Sequence, residues 1–92
     1  MNLELRFFAT FRDAVGQKTI EREFPDTATI ADVLDDLEDE FGGLSGQFLE
    51  NGEIKPQVNV LRNGREVTHL DGLETRVEAG DRISIFPPVA GG

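Results

Sequence analysis

TIADVLDDLEDEFGG, residues 29–43, is the stretch on which the fold turns. Ile30, Val33, Leu34, Leu37 and Phe41 recur at helical spacing and form a single apolar stripe. Thr29 is a good N-cap, and Asp32 three residues on makes a short version of the capping box. Gly42 is expected to take the left-handed position that closes a helix. Asp35, Asp36, Glu38, Asp39 and Glu40 fall mostly off the stripe, so they read as a solvated acidic face rather than a metal cluster.

To either side of this helix the pattern changes to period two. LELRFFA alternates, with Leu3, Leu5 and Phe7 on one face and Glu4, Arg6 and Phe8 on the other. TFRDAVGQ reads as a long turn, with one helical turn, ending at Gly16. Lys18–Phe24 alternates more weakly and pairs back on the first strand until Pro25-Asp26 breaks it. Beyond the helix, GLSGQFLENGEIKP reads as irregular, with Leu44, Phe48 and Leu49 against the edge of the core. Gln57–Arg62 is a strand that meets Asn63-Gly64, the type I′ dipeptide, and returns through Arg65–Val67. A turn at Glu78–Asp81 leads to the last strand, RISIF, with Ile83 and Ile85 facing the core.

Strand, strand, helix, strand, short strand, final strand is an order that a two-layer α+β domain satisfies. A β-grasp with the last strand beside the first fits it best: a mixed sheet of four to five strands, with one main helix on one face. Residues 1–86 are expected to form that domain, and residues 87–92 an extended C-terminal tail.

The chain has 92 residues and no cysteine, enough for one modest core and no disulfide. Its apolar runs are too short to span a bilayer, and MNLELRFFAT lacks the basic start of a signal peptide. Eighteen acidic and nine basic residues give a net charge of -9. Such acidity argues against nucleic acid, which requires basic stripes for phosphate contacts. It points instead to a soluble protein of a salt-rich cytoplasm, where screening reduces self-repulsion, and the chain is expected to be a monomer.

No side chain offers a catalytic centre. His69 is the sole histidine and falls in a loop; Ser45 and Ser84 occupy no nucleophile elbow; FGGLSG lacks the lysine of a phosphate loop. The reactive group is expected to be the C-terminal carboxylate. Pro87 and Pro88 fix φ and favour extended backbone, so PPVAGG leaves the sheet as a stiff arm reaching roughly 20 Å. Val89 and Ala90 are small apolar handles, and Gly91 and Gly92 have no Cβ to keep the terminus out of a narrow channel. A carboxylate ionised at neutral pH is a poor acyl donor, so a separate enzyme must activate it, most plainly as an acyl-adenylate.

FFATFRDAVG, VNVLRNG and GDRISIFPPVAGG resemble the ubiquitin-like MoaD/ThiS family of β-grasp proteins. With its acidic, lysine-poor composition, the chain looks more specifically like the small archaeal modifier proteins of halophilic archaea. The resemblance implies that an E1-like enzyme adenylates Gly92 with ATP and Mg²⁺, no cofactor being held permanently by the chain itself. With Gly92 already last, no maturation protease is expected. The activated end then forms an isopeptide bond with a target lysine. In the alternative role it becomes a thiocarboxylate that donates sulfur, in molybdopterin synthesis beside the large synthase subunit or in tRNA thiolation. Lys18 and Lys55 are the side-chain amines through which copies of this chain could be linked. Independently, alternation points Phe8, Leu61 and Phe86 away from the helix, where polar residues belong, so they form a candidate docking patch at the root of the tail. A third reading, a non-covalent β-grasp module, expects no effect from loss of Gly91 and Gly92.

Overall fold

The computed structural model describes residues 1–88; Val89, Ala90, Gly91 and Gly92 lie outside the described residues. The elements are β1 (Asn2–Phe7), α1 (Ala9–Val15), β2 (Thr19–Glu23), α2 (Ile30–Glu40), β3 (Leu49–Glu50), β4 (Glu53–Ile54), β5 (Asn59–Arg62), β6 (Arg65–Glu66) and β7 (Arg82–Phe86).

Alternation in β1 buries Leu3, Leu5 and Phe7 completely, and in β7 it buries Ile83 and Ile85. These two strands run parallel at the centre of a five-stranded sheet of order β2-β1-β7-β5-β6 whose other pairings are antiparallel. The register sets Leu5 beside Ile83 and Phe7 beside Ile85, so both strands turn the same parity of residues toward the core. Ile30, Val33, Leu34 and Leu37 of α2 are buried in the same core. The sheet carries its helix on one face and leaves the other open, as the alternating sequence requires.

At the start of α2 the Asp32 carboxylate accepts the Thr29 N–H at 3.0 Å, satisfying a donor that the helix itself leaves free. The end of α2 differs from expectation. Phe41 closes the helix in extended geometry (φ -114°, ψ 112°), and Gly42 opens a 3-10 turn to the buried Leu44 instead of taking a left-handed position. The glycine that matters there is Gly43, because a Cβ on it would lie 2.9 Å from the Cβ of Ala14 in α1. The left-handed cap occurs at Gly16 (φ 87°), which ends α1 by donating its N–H to the Arg12 carbonyl at 2.8 Å.

The long turn expected after β1 is a second helix, seven residues long, with Phe11 buried and its ring edge-on to Phe48 at 5.0 Å. The stretch read as irregular contains the β3–β4 hairpin, closed by Asn51 and Gly52, both at positive φ (54° and 78°). It is tied to α2 through the Glu38 carboxylate, which accepts the N–H groups of Phe48 and Leu49 at 2.9 and 3.1 Å. The next strand begins at Asn59 rather than Gln57, because Lys55–Val58 forms a turn (Val58 N to Lys55 O, 3.0 Å). Its return strand stops at Glu66, and Val67 enters a 3-10 turn with its side chain fully buried. Asn63 and Gly64 both have positive φ (50° and 84°), the type I′ geometry.

Candidate docking face at the root of the tail

Residues that alternate away from α2 meet on the open face of the sheet. From β1 these are Glu4 and Arg6, followed by Phe8 just past the strand; from β7 they are Arg82, Ser84 and Phe86. Phe8 remains extended (φ -132°, ψ 150°), and the chain then turns into α1 at Ala9, whose backbone is left-handed (φ 51°). The parallel register places Arg6 beside Ser84, so two residues further on Phe8 reaches Phe86. Their rings stack, with centroids 4.1 Å apart and planes inclined by 10°.

Leu61 shares this face opposite Ser84 and is half-buried, as Phe8 and Phe86 are. A shallow groove of about 550 Å³ runs from the two stacked rings past Arg6, Ser84 and Arg82 to the Asn63-Gly64 turn; Leu61 stands outside its lining. Of the three expected patch residues, the structure therefore brings Phe8 and Phe86 into contact and places Leu61 one strand away. Pro87 is half-buried directly after Phe86, and Pro88 is exposed. The remaining expected tail residues, Val89 to Gly92, lie outside the described residues.

Positive charge gathers around the rings. The Arg6 guanidinium stands 6.0 Å and the Lys18 ammonium 5.7 Å from the centre of the Phe8 ring, both within cation–π range. Arg82 pairs across the central strands with Glu4. His69 is not among the residues lining the groove; it is 81% exposed on a 3-10 turn beside Glu66. Lys55 follows β4 in the hairpin region tied to α2 through Glu38, and its N–H is bonded to the Phe48 carbonyl at 2.9 Å.

The base of the groove is held by a residue that the sequence presents only as part of a turn. Asp81 is buried and accepts bonds from Arg62 Nε at 2.6 Å, Asn63 Nδ2 at 2.9 Å and the Glu78 N–H at 2.7 Å. Asn63 Oδ1 in turn accepts the Arg82 N–H at 2.9 Å. This network fixes the β5–β6 hairpin tip to the start of β7, and hence the strand that carries Phe86. Burial pushes the Asp81 carboxyl up and is the largest single influence. The bonds from Arg62, Asn63 and the Glu78 N–H together outweigh it and hold the group below its ordinary value.

Asp81→Ala is expected to cost about 2–3 kcal/mol by leaving these donors unpaired, and to lower Tm by about 10 °C or more. The pH dependence has a definite sign. A carboxyl more acidic in the folded than in the unfolded chain stabilises fully above its ordinary value of about 4, and that contribution is lost as pH falls through the lower folded value. Thermal melts of the wild type between neutral and strongly acidic pH should show this loss, and Asp81→Asn should flatten it.

An open mixed sheet with its last strand parallel to its first, spanned by one main helix, is the ubiquitin-like β-grasp. What it carries here is the stacked Phe8–Phe86 pair on its open face, directly before Pro87. The chain belongs to the ThiS family, whose model matches residues 5–92. It is 62% identical over 92 residues to Small archaeal modifier protein 3 of Haloferax volcanii, covering 100% of both chains. It is 32% identical over 80 residues to Sulfur carrier protein CysO of Mycobacterium tuberculosis, covering 84% of this chain and 83% of that one. The solution structure of a Haloferax volcanii protein superposes with a TM-score of 0.92 at 62% identity, covering 100% of this chain and 87% of the other. These relatives are named as a modifier and a sulfur carrier, so the chain stands among carrier proteins rather than enzymes.

Proposed function

We propose that this chain is a ubiquitin-like small archaeal protein modifier, activated at the Gly92 carboxylate by an E1-like enzyme and joined by isopeptide bonds to lysines of target proteins. The observation that carries this reading is the stacked Phe8–Phe86 pair, sited where β7 gives way to Pro87-Pro88. An activating enzyme that grips this apolar pair holds the root of the arm, and the arm then delivers Gly92 to a nucleotide some distance away. ATP and Mg²⁺ are substrates at the enzyme's site, and the chain itself contributes only the acyl group. Adenylation joins a Gly92 carboxylate oxygen to the α-phosphorus of ATP and expels pyrophosphate. A lysine amine then attacks the acyl carbon, AMP leaves with the electron pair, and the amine proton passes to water.

Full-length similarity to a modifier supports this role as the main one. Similarity to a sulfur carrier supports the second reading, in which a thiocarboxylate at Gly92 donates sulfur beside a molybdopterin synthase large subunit or in tRNA thiolation. Both readings place the chain in the cytoplasm as a monomer between partners, with no nucleic acid or membrane to bind; among the described residues no helix is long and apolar enough to cross a membrane. ATP–pyrophosphate exchange catalysed by the E1-like enzyme of the same cells, measured with and without this chain, tests the activation step that both readings share.

A further inference from the structure

We propose that an isopeptide bond at Lys18, formed with the activated C-terminus of a second copy, closes the docking face and removes the acceptor copy from further activation. This rests on the modifier reading above and adds a self-limiting step to it. The amines of the described chain are not equivalent. The α-amino group of Met1 donates to the Phe24 carbonyl at 2.7 Å and lies 3.6 Å from Asp26, so it is already engaged. Lys55 is half-buried, whereas Lys18 is exposed. Among the described residues no carboxylate lies within ion-pair distance of the Lys18 ammonium, in a chain with 18 acidic residues. Lys18 is therefore the more accessible acceptor.

Its position gives the modification a consequence. The Lys18 carbonyl accepts the Phe7 N–H at 2.8 Å, which fixes the residue beside the end of β1. Its Nζ sits 5.7 Å from the centre of the Phe8 ring, and Phe8 stacks on Phe86 at 4.1 Å. A standard interface covers about 800 Å² on each partner, a disc of roughly 16 Å radius. A group joined to the Lys18 nitrogen thus starts well inside any footprint centred on the two rings. A second copy of this fold, 37 × 27 × 23 Å in extent, is thereby tethered inside the footprint that the activating enzyme has to cover. Lys55 follows the β3–β4 hairpin tied to α2 through Glu38 and is not among the residues lining that groove.

The step balances with reactants already named. Lys18 Nζ, as the free amine, attacks the acyl carbon of an adenylated Gly92; the C–N bond forms, the bond from carbon to the AMP oxygen breaks, AMP leaves with the electron pair, and the proton goes to water. In the product the donor's terminus is consumed, so the acceptor holds the sole free Gly92. That makes pyrophosphate exchange a direct report on the acceptor.

The test compares the full-length chain with two-copy conjugates assembled by chemical ligation through Lys18 or through Lys55, each presented to the E1-like enzyme with ATP. The free chain and the Lys55-linked pair are expected to support similar exchange. The Lys18-linked pair is expected to fall by about thirtyfold or more, the scale of losing a hot-spot cluster. Exchange by the Lys18-linked pair at the free-chain rate overturns the proposal, as does equal failure of both pairs, which would assign the effect to bulk. Failure of the free chain itself overturns the activation reading and is distinguishable from either. Trypsin digestion of free chain incubated with enzyme and ATP should place the remnant ISIFPPVAGG on Lys18 ahead of Lys55; a remnant confined to Lys55 overturns the choice of acceptor.

Discussion

Deleting Gly91 and Gly92 is expected to abolish adenylation and every product downstream of it while leaving the melting temperature unchanged. The deletion draws the terminal carboxylate back by about 7 Å. A misplacement of 1 Å at a reacting centre can cost about 10²-fold, so pyrophosphate exchange should fall below detection. It also substitutes Ala90 for glycine at the new end, adding a Cβ where the terminus must enter a narrow channel. The core should not register the change, since among the described residues every buried apolar one lies between Leu3 and Ile85. A shortened chain that still exchanges at the full rate would favour the non-covalent module.

Phe86→Glu is expected to be nearly as severe for activation, by a different route. The substitution removes one ring of the stacked pair and places a carboxylate at the centre of the face. Loss of a hot-spot aromatic costs about 2 kcal/mol or more in docking, roughly thirtyfold in the apparent affinity for the activating enzyme. The fold should survive. Phe86 is half-buried on the open face, and its stacking is worth about 0.5–1.5 kcal/mol, a fall in Tm of roughly 2–12 °C. Arg6 and Lys18 beside Phe8 also give the new carboxylate positive neighbours. Phe8→Glu should behave alike, and Phe86→Leu should retain much of the activity. Normal charging of a folded Phe86→Glu chain would remove this face from the account.

Where the sequence carries a long repeat of one period, the elements were legible. RISIF is β7 residue for residue, Thr29 and Asp32 mark the start of α2, and Asn63-Gly64 closes the expected hairpin. Short elements were not. A seven-residue α1 with Phe11 as its one buried side chain shows no helical stripe, and the two-residue strands β3 and β4 are too short to alternate. Asn51-Gly52, the same dipeptide that marks the later hairpin, was the available signal for the earlier one. The glycine under steric constraint is Gly43 rather than Gly42, because sequence spacing reports a helix end but not the approach of α1 that Gly43 accommodates.

The site divides in the same manner. Alternation places Phe8, Leu61 and Phe86 on the open face from local pattern alone. That Phe8 stacks on Phe86 while Leu61 stands apart depends on the β1–β7 register, a pairing of residues nearly eighty positions apart. Asp81 was hidden for a related reason: its partners Arg62 and Asn63 come from another hairpin, and nothing local in EAGD marks them.

The central claim, that Gly92 is the reacting end and lysine its acceptor, is tested most directly by mass spectrometry of this chain recovered from its own cells. The last tryptic site is Arg82, so a modified lysine carries ISIFPPVAGG, and a search for a bare Gly-Gly remnant would miss it. The account predicts that remnant on lysines of other proteins, absent from cells that express the chain without Gly91 and Gly92. A terminus found solely as free carboxylate or thiocarboxylate, with no lysine bearing the remnant, would contradict it.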